Sequence, residues 1–247
     1  MNKYLLLFFL MFFNFFLYSQ VEGVATYKLK LISKDENQSS KKLSRKINEA
    51  LEQSKNELKN LQYELIFNEN LALYKEKEKL ISDSQNSISS KLSKIFSGYF
   101  GEVYINLEDN ILIKNHEFLG KNYYVEKKIN DFDWKIEDSI IKINGYNCYA
   151  ANTILTEEGR NGLKEIVVTA WFTPEINFPY GPNGYSGLPG MIVQIQKGNT
   201  ITYLSKIKFE NHKEKLEIPS FETISNTEFN QIIRDFSLNR RMYFKDN

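Results

Sequence analysis

Polar and apolar residues alternate through Val21–Ile32. Val24, Thr26, Lys28 and Lys30 fall on one side, and Ala25, Tyr27, Leu29 and Leu31 on the other, the period of a strand with one buried face. Over residues 39–60 the period changes. This stretch has no Gly or Pro and spaces Leu43, Ile47, Leu51, Ser54, Leu58 and Leu61 three or four apart, which predicts an amphipathic helix with one narrow apolar stripe. So narrow a stripe fits an insertion packed along the domain edge. Strand patterns return at Tyr63–Asn68 and Asn70–Lys77, joined by the turn sequence Asn68-Glu69-Asn70. The serine-rich residues 81–98 read as a mobile loop. Tyr99–Leu107 and Asn110–Asn115 form a hairpin bending at Glu108-Asp109-Asn110, and Tyr123–Lys128 and Trp134–Glu137 are short strands. Ile140–Ala151 is two extended pieces meeting at Asn144-Gly145, residue types that suit the positive φ angles of a two-residue hairpin turn. Leu163–Phe172, rich in β-branched and aromatic residues, is a central strand. Met191–Gln196 and Thr200–Phe209 flank a turn at Lys197-Gly198-Asn199. Ser225 and Glu228 form a capping box for a closing helix over Ser225–Arg240, with Phe229, Ile232, Ile233 and Phe236 on one face. Strands joined by short turns, without alternating strand–helix units, predict an α+β protein. Its predominantly antiparallel sheet carries the inserted amphipathic helix and a C-terminal helix.

The first residues stand apart. Lys3 precedes Leu5–Leu17, an apolar run broken only by Asn14, and Tyr18-Ser19-Gln20 leads into the alternating strand. The run is short for a membrane span and suits the apolar region of a secretory signal. Residues 1–19 are therefore expected to be a signal peptide cut between Ser19 and Gln20. Residues 20–247 then form a single domain, secreted or periplasmic, with no transmembrane segment after cleavage. No cysteine lies at the cut, so lipid attachment there is excluded.

Composition removes functions without selecting one. The chain has 247 residues, with 32 Lys and Arg against 31 Asp and Glu, a balance that argues against a nucleic-acid partner. The lone Cys148 and the two histidines, His116 and His212, leave no disulfide framework and little from which to build a metal site. Cys148 reads as a small buried hydrophobe. No nucleophile elbow, zinc-protease motif, phosphate loop or calcium loop occurs. His116 and His212 read as solvated, Glu157-Glu158 near Arg160 as a solvated turn tip, and Asp131 and Asp133 lack the further oxygen ligands calcium needs. Arg240-Arg241 follows the last helix and suits its carboxyl end electrostatically. No cofactor and no catalytic residue is expected, and the protein is read as not an enzyme.

Residues 174–190, PEINFPYGPNGYSGLPG, hold four of the five prolines and four of the twelve glycines. Proline cannot donate to a sheet ladder or a helix, so the segment is neither. Its aromatics imply a folded loop of turns rather than a linker. Gly181-Pro182-Asn183-Gly184 is one turn candidate, and Leu188-Pro189-Gly190-Met191 fits a type II turn with Gly190 at positive φ. The adjoining Trp171 and Phe172 point to opposite faces of their strand, which puts at least one of them in the core.

Trp171-Phe172-Thr173-Pro174-Glu175-Ile176, Gly181-Pro182 and Gly187-Leu188-Pro189-Gly190-Met191-Ile192 closely resemble the signature of the GLPGLI family, secreted proteins of the Bacteroidetes; Met191 stands where the family name has leucine. Gly145-Tyr146-Asn147-Cys148-Tyr149-Ala150 and Gly159-Arg160 are similar to further family positions. The resemblance covers residues 140–197 and omits the helix at 39–60. It implies a signal-bearing, sheet-rich extracytoplasmic protein and brings no activity with it. The order of hairpins and loop is also similar to lipoprotein-carrier folds, where a curved antiparallel half-barrel wraps an apolar cavity. The expected function is an extracytoplasmic binding or accessory module that holds an apolar or peptide ligand or docks on an envelope protein. The candidate binding residues are Trp171, Phe172, Pro174, Tyr180, Gly181, Pro182, Tyr185, Gly187, Leu188, Pro189 and Gly190, placed at the rim of the sheet. A hydrolase with an unrecognised site and a purely structural envelope protein are the alternatives. A dry concavity, a polar pocket and a filled core would distinguish the three. The signal reading is checked by intact-mass measurement of secreted protein, which should find a chain beginning at Gln20; a membrane-retained chain that keeps residues 1–19 would refute it.

Overall fold

The computed structural model describes residues 22–32, 45–77, 88–159, 162–210 and 216–243. The expected signal peptide, His212 and Arg160 lie outside them. Twelve strands form one sheet: β1 Gly23–Leu31, β2 Gln62–Phe67, β3 Leu71–Glu76, β4 Val103–Asn106, β5 Ile111–Phe118, β6 Lys121–Lys128, β7 Lys135–Ile143, β8 Tyr146–Gly159, β9 Gly162–Thr173, β10 Met191–Lys197, β11 Thr200–Phe209 and β12 Thr223–Ser225. Their order across the sheet is β12-β6-β5-β4-β3-β2-β1-β11-β10-β9-β8-β7. Every neighbouring pair is antiparallel except β12 with β6, which is parallel. Three helices accompany the sheet among the described residues: α1 Arg45–Asn60, α2 Ile88–Ser97 and α3 Asn226–Tyr243. The α+β class and the antiparallel sheet are as the pattern predicts.

The connections decide the sheet's shape. β6 and β7 lie ten positions apart in the strand order, a distance of about 48 Å if the sheet were flat. Only Ile129–Trp134 join them, and so short a link reaches about 25 Å at most. The sheet must therefore curl until its two ends approach, although β12 and β7 stay unpaired as edges and the curve does not close.

A curled sheet has a concave face that must be filled. Ala25, Tyr27 and Leu29 of β1, Tyr63, Leu65 and Phe67 of β2, Ala72 and Tyr74 of β3, and Leu112 of β5 are buried on it. The connection 174–190 lies against this face. Tyr180, Leu188 and Ser186 are fully or almost fully buried. Phe178 packs on Phe67 with ring centroids 4.7 Å apart, and the Tyr180 hydroxyl donates to the Glu69 carbonyl at 3.3 Å. Trp134 Nε1 donates to the Ser186 carbonyl at 2.9 Å. The expected rim loop is thus an interior plug, because its aromatics and proline rings supply the apolar volume that the concave face needs.

Two turns of the plug have clear causes. Pro182-Asn183-Gly184-Tyr185 form a tight turn with Asn183 at φ 53° and Gly184 at φ 84°, closed by the Tyr185 amide donating to the Pro182 carbonyl at 3.1 Å. At Leu188-Pro189-Gly190 the chain departs from the expected type II turn. The Gly190 amide donates to the Leu188 carbonyl at 2.7 Å, and the Met191 amide donates to the Ile176 carbonyl at 2.9 Å. Gly190 keeps the expected positive φ, at 141°. A Cβ there would stand 2.1 Å from the Thr173 carbonyl oxygen, so close approach of two backbones, as well as φ, requires glycine.

The helices differ more from expectation. In α1, Ser54 and Leu58 are fully buried, and Leu58 belongs to the same core as Tyr27 and Tyr63. The predicted edge insertion is therefore a cover over one end of the concave face; Leu43 of the predicted stripe lies outside the described residues. The predicted serine-rich loop contains α2. Its buried Ser89 donates to Glu57 of α1 at 2.6 Å, and such small side chains let two helices approach closely. α3 starts on the predicted capping box: the Glu228 amide donates to Ser225 Oγ at 3.1 Å, and the Ser225 amide to Glu228 at 2.7 Å. It runs through Arg240 and Arg241 to Tyr243, past its expected end. Phe229 of α3 is buried against His116 and Tyr123.

Gly190→Val should destabilise the protein by on the order of 1–3 kcal/mol or more, and Leu188→Ala by roughly 2–5 kcal/mol. Thermal melts beside the parent check both. An unchanged Leu188→Ala melt would refute the plug as a core element.

Candidate functional site

The curl brings strands from opposite ends of the sheet to face one another. The β5–β6 ladder pairs Leu112 with Lys127 and Lys114 with Val125, so Lys114 and Lys127 share the concave face with the buried Leu112. On the far side, Glu157 of β8 sits opposite Lys164 of β9, and Lys197 of β10 opposite Val168. Lys197 and Glu157 form an ion pair.

The plug and the α1–α2 cover meet at Asn183, whose Nδ2 donates to the Gly98 carbonyl just beyond α2 at 3.1 Å. Beside that contact a groove of about 1170 Å³ remains between them. Leu31 and Ile32 end β1 on one side, Leu51 of α1 with Ile95 and Phe96 of α2 form the cover, and Ile166, Ile195 and Thr202 form the sheet wall. Asn183 and Tyr185 of the plug are its floor. Ile95 is 60% exposed, so an apolar side chain stands open to solvent at the groove. A second cavity of about 480 Å³ lies between Lys127 and Phe132 on one side and Leu155, Glu157 and the start of α3 on the other. Lys197 lines the larger space and Glu157 the smaller, which places their ion pair between the two.

The charges here are unbalanced. Among the described residues neither Lys114 nor Lys127 has a carboxylate within ion-pair distance. Burial pushes the Lys114 ammonium down to about 7; Lys127 and Lys197 push the same way, and Glu157 opposes them. Lys127 is lowered as well, chiefly by burial, with Glu157 and Asp131 opposing. His116 lies between Phe100 and Phe229, with centroids at 6.1 and 4.7 Å. Burial, then Lys114 and Lys127, hold it down at about 4. It is a neutral packing residue rather than the solvated histidine that the sequence suggests.

Of the eleven candidate binding residues, Tyr185 alone is among the residues lining either cavity. Phe172, Tyr180, Gly181, Pro182, Leu188 and Gly190 are buried, Trp171 is half-buried, and Pro174, Gly187 and Pro189 are exposed. Glu157, read as part of a solvated tip, is instead half-buried in its pair with Lys197. Cys148 is buried as expected, and burial raises its thiol to about 11. Lys114, Lys127 and Lys197 escape pattern reading, although each stands where its strand's alternation calls for an inward apolar residue: Leu112-x-Lys114, Val125-x-Lys127, Ile195-x-Lys197. No cluster of three or more His, Cys, Asp or Glu able to hold a metal occurs among the described residues. No helix among them is long and apolar enough to cross a membrane.

The comparisons with known proteins fall on this frame. The model of a Bacteroidetes-associated family of unknown function, Porph_ging, matches residues 155–194. That window runs from late β8 through β9 and the plug into β10. Among solved structures, PNGF-II in two space groups is similar to this chain, with TM-scores of 0.52 and 0.51 at 12% and 13% identity. Each match covers 87% of this chain and 33% of the PNGF-II chain, so the chain spans about a third of that protein's length. At such identity the likeness is one of fold. No curated protein matches the chain.

The Lys114 environment predicts a pH dependence. The unfolded chain keeps its lysine proton up to about 10.5, whereas the folded chain releases it near 7, so stability contributed at this site rises with pH between those values. Lys114→Met removes the buried charge. Its melting temperature should exceed the parent's most below pH 7, with the gap narrowing as pH climbs through that window; a gap independent of pH would contradict the assignment.

Proposed function

We propose that this protein is an extracytoplasmic binding module of the GLPGLI kind, whose groove between plug and helical cover holds an elongated apolar ligand. The observation that carries this reading is the groove itself, an open space where Leu31, Leu51, Ile95, Phe96, Ile166 and Ile195 form an apolar strip beside the charged Glu52, Lys55, Lys164 and Glu165. Its volume is of the order typical of small-molecule sites. Apolar walls left in contact with water favour an apolar occupant, since transfer of both surfaces out of water is favourable. The secretory character of Lys3 and Leu5–Leu17, and the GLPG-containing window, support placement outside the cytoplasm and membership of that family.

The test uses the neutral apolar dye N-phenyl-1-naphthylamine with the purified chain. Its fluorescence should rise saturably, and Ile95→Glu, an exposed position whose change leaves the core intact, should weaken binding severalfold. No saturable binding by the parent, or equal binding by the variant with an unchanged melt, would refute the groove as the site.

A further inference from the structure

The groove explains an apolar ligand, but not the charge beyond the Lys197–Glu157 pair that stands between it and the smaller cavity. Lys114 and Lys127 share a face of β5 and β6, lack ion-pair partners among the described residues, and look towards Lys197 and Glu157 across the lumen. Of the carboxylates there, Glu157 is already paired with Lys197, and Asp131, which accepts from the Lys128 amide, acts on Lys127 only from beyond ion-pair distance. Isolated charges in a half-buried site are costly unless something neutralises them. The smaller cavity, walled by Lys127 and Glu157, adjoins the larger one across the Lys197–Glu157 pair. A single ligand can therefore lie along both, with its apolar length in the first and its end in the second.

Resting on the binding reading above, we propose that the ligand is an anionic amphiphile, an apolar chain ending in one carboxylate, sulfate or phosphate group held between Lys114 and Lys127. Two ammonium groups without partners match one anionic head. Charge-assisted hydrogen bonds from them are the strong kind and fix which end of the chain enters first. Glu157 opposes a second anion and keeps Lys197 engaged, which limits the site to one head. A bound anion also favours the protonated form of Lys114, so binding takes up a proton near neutral pH. Lys127, Lys197, Glu157 and His116 are the titratable groups facing Lys114, and of these His116 is neutral above about pH 4.

Displacement of the bound naphthylamine dye by laurate, dodecyl phosphate, dodecanol and dodecyltrimethylammonium tests this with the full chain. Laurate and dodecyl phosphate should compete at least about tenfold better than the neutral and cationic chains. Lys114→Met and, separately, Lys127→Met should remove that preference while leaving dodecanol unchanged. Raising the pH from about 6 to about 9 should weaken laurate in the parent, as Lys114 loses its proton. Lys114→Arg, which stays charged, should keep the preference and lose the pH dependence. If laurate competes no better than dodecanol, or ignores both lysine substitutions, the anionic head is refuted while the apolar groove stands. If none of the four displaces the dye and the parent does not bind it, the groove reading fails as well.

Discussion

Six residues, Ile129–Trp134, tie one end of a twelve-stranded sheet to the other. Because that link is far shorter than the width of a flat sheet, curvature is imposed by covalent reach before any side chain packs. Everything inside the molecule follows from it. The curl creates a concave face, the face needs apolar filling, and the link carries part of that filling itself: Ile129 is buried, and Phe132 packs on Tyr185 with centroids 5.4 Å apart. The tie is thus pinned to the plug it makes necessary.

The plug solves a problem of backbone polarity as well as volume. A loop inside a core must satisfy its own amides and carbonyls. Here the Phe178 and Tyr180 amides donate to carbonyls two residues back, and the Gly187 amide donates to Pro179 at 3.1 Å. The Ile192 amide donates to Tyr180 at 2.9 Å. The prolines reduce the number of donors needing partners, and the glycines let backbone meet backbone, as Gly190 does against Thr173. Side chains from the sheet complete the set: the Tyr27 hydroxyl, buried on β1, donates to the Ile192 carbonyl at 2.7 Å. A segment that looks by composition like a surface loop can therefore occupy an interior.

This explains which parts of the structure were legible in the sequence. Period-two alternation marked most strands because each has one face on the core, and Asn144-Gly145 marked its hairpin because both residues adopt positive φ, 50° and 92°. α2 was hidden because its serines, poor helix formers, are the residues that pack on α1. β12, three residues long and parallel to β6, is too short to show a period. The curl was expected only through the likeness to lipoprotein-carrier half-barrels. It depends on strand order, and no local pattern states that β6 and β7 stand ten positions apart. No local pattern puts a Pro- and Gly-rich segment inside such a curve either, so 174–190 looked like its rim, and Lys114, Lys127 and Lys197 looked like ordinary strand lysines.

The same logic locates the groove. The plug reaches as far as Asn183 and Tyr185, where Asn183 Nδ2 donates to the Gly98 carbonyl at 3.1 Å just beyond α2. The cover begins there, held by Leu58, by the stacked and tilted rings of Tyr63, Tyr74 and Tyr99, and by Thr200 donating to the Phe96 carbonyl at 3.1 Å. Two separate segments fill one concave face, and where they meet the filling is incomplete. Of the inward lysines, Lys197 lines that gap and Lys127 lines the smaller cavity across the Lys197–Glu157 pair. A purely structural filling would have placed apolar residues at these positions, as the same strands do at Leu112, Val125 and Ile195. The filling thus stops short at Asn183 and Tyr185, the two plug residues that line the groove, and the proposed binding reading rests on that incomplete filling.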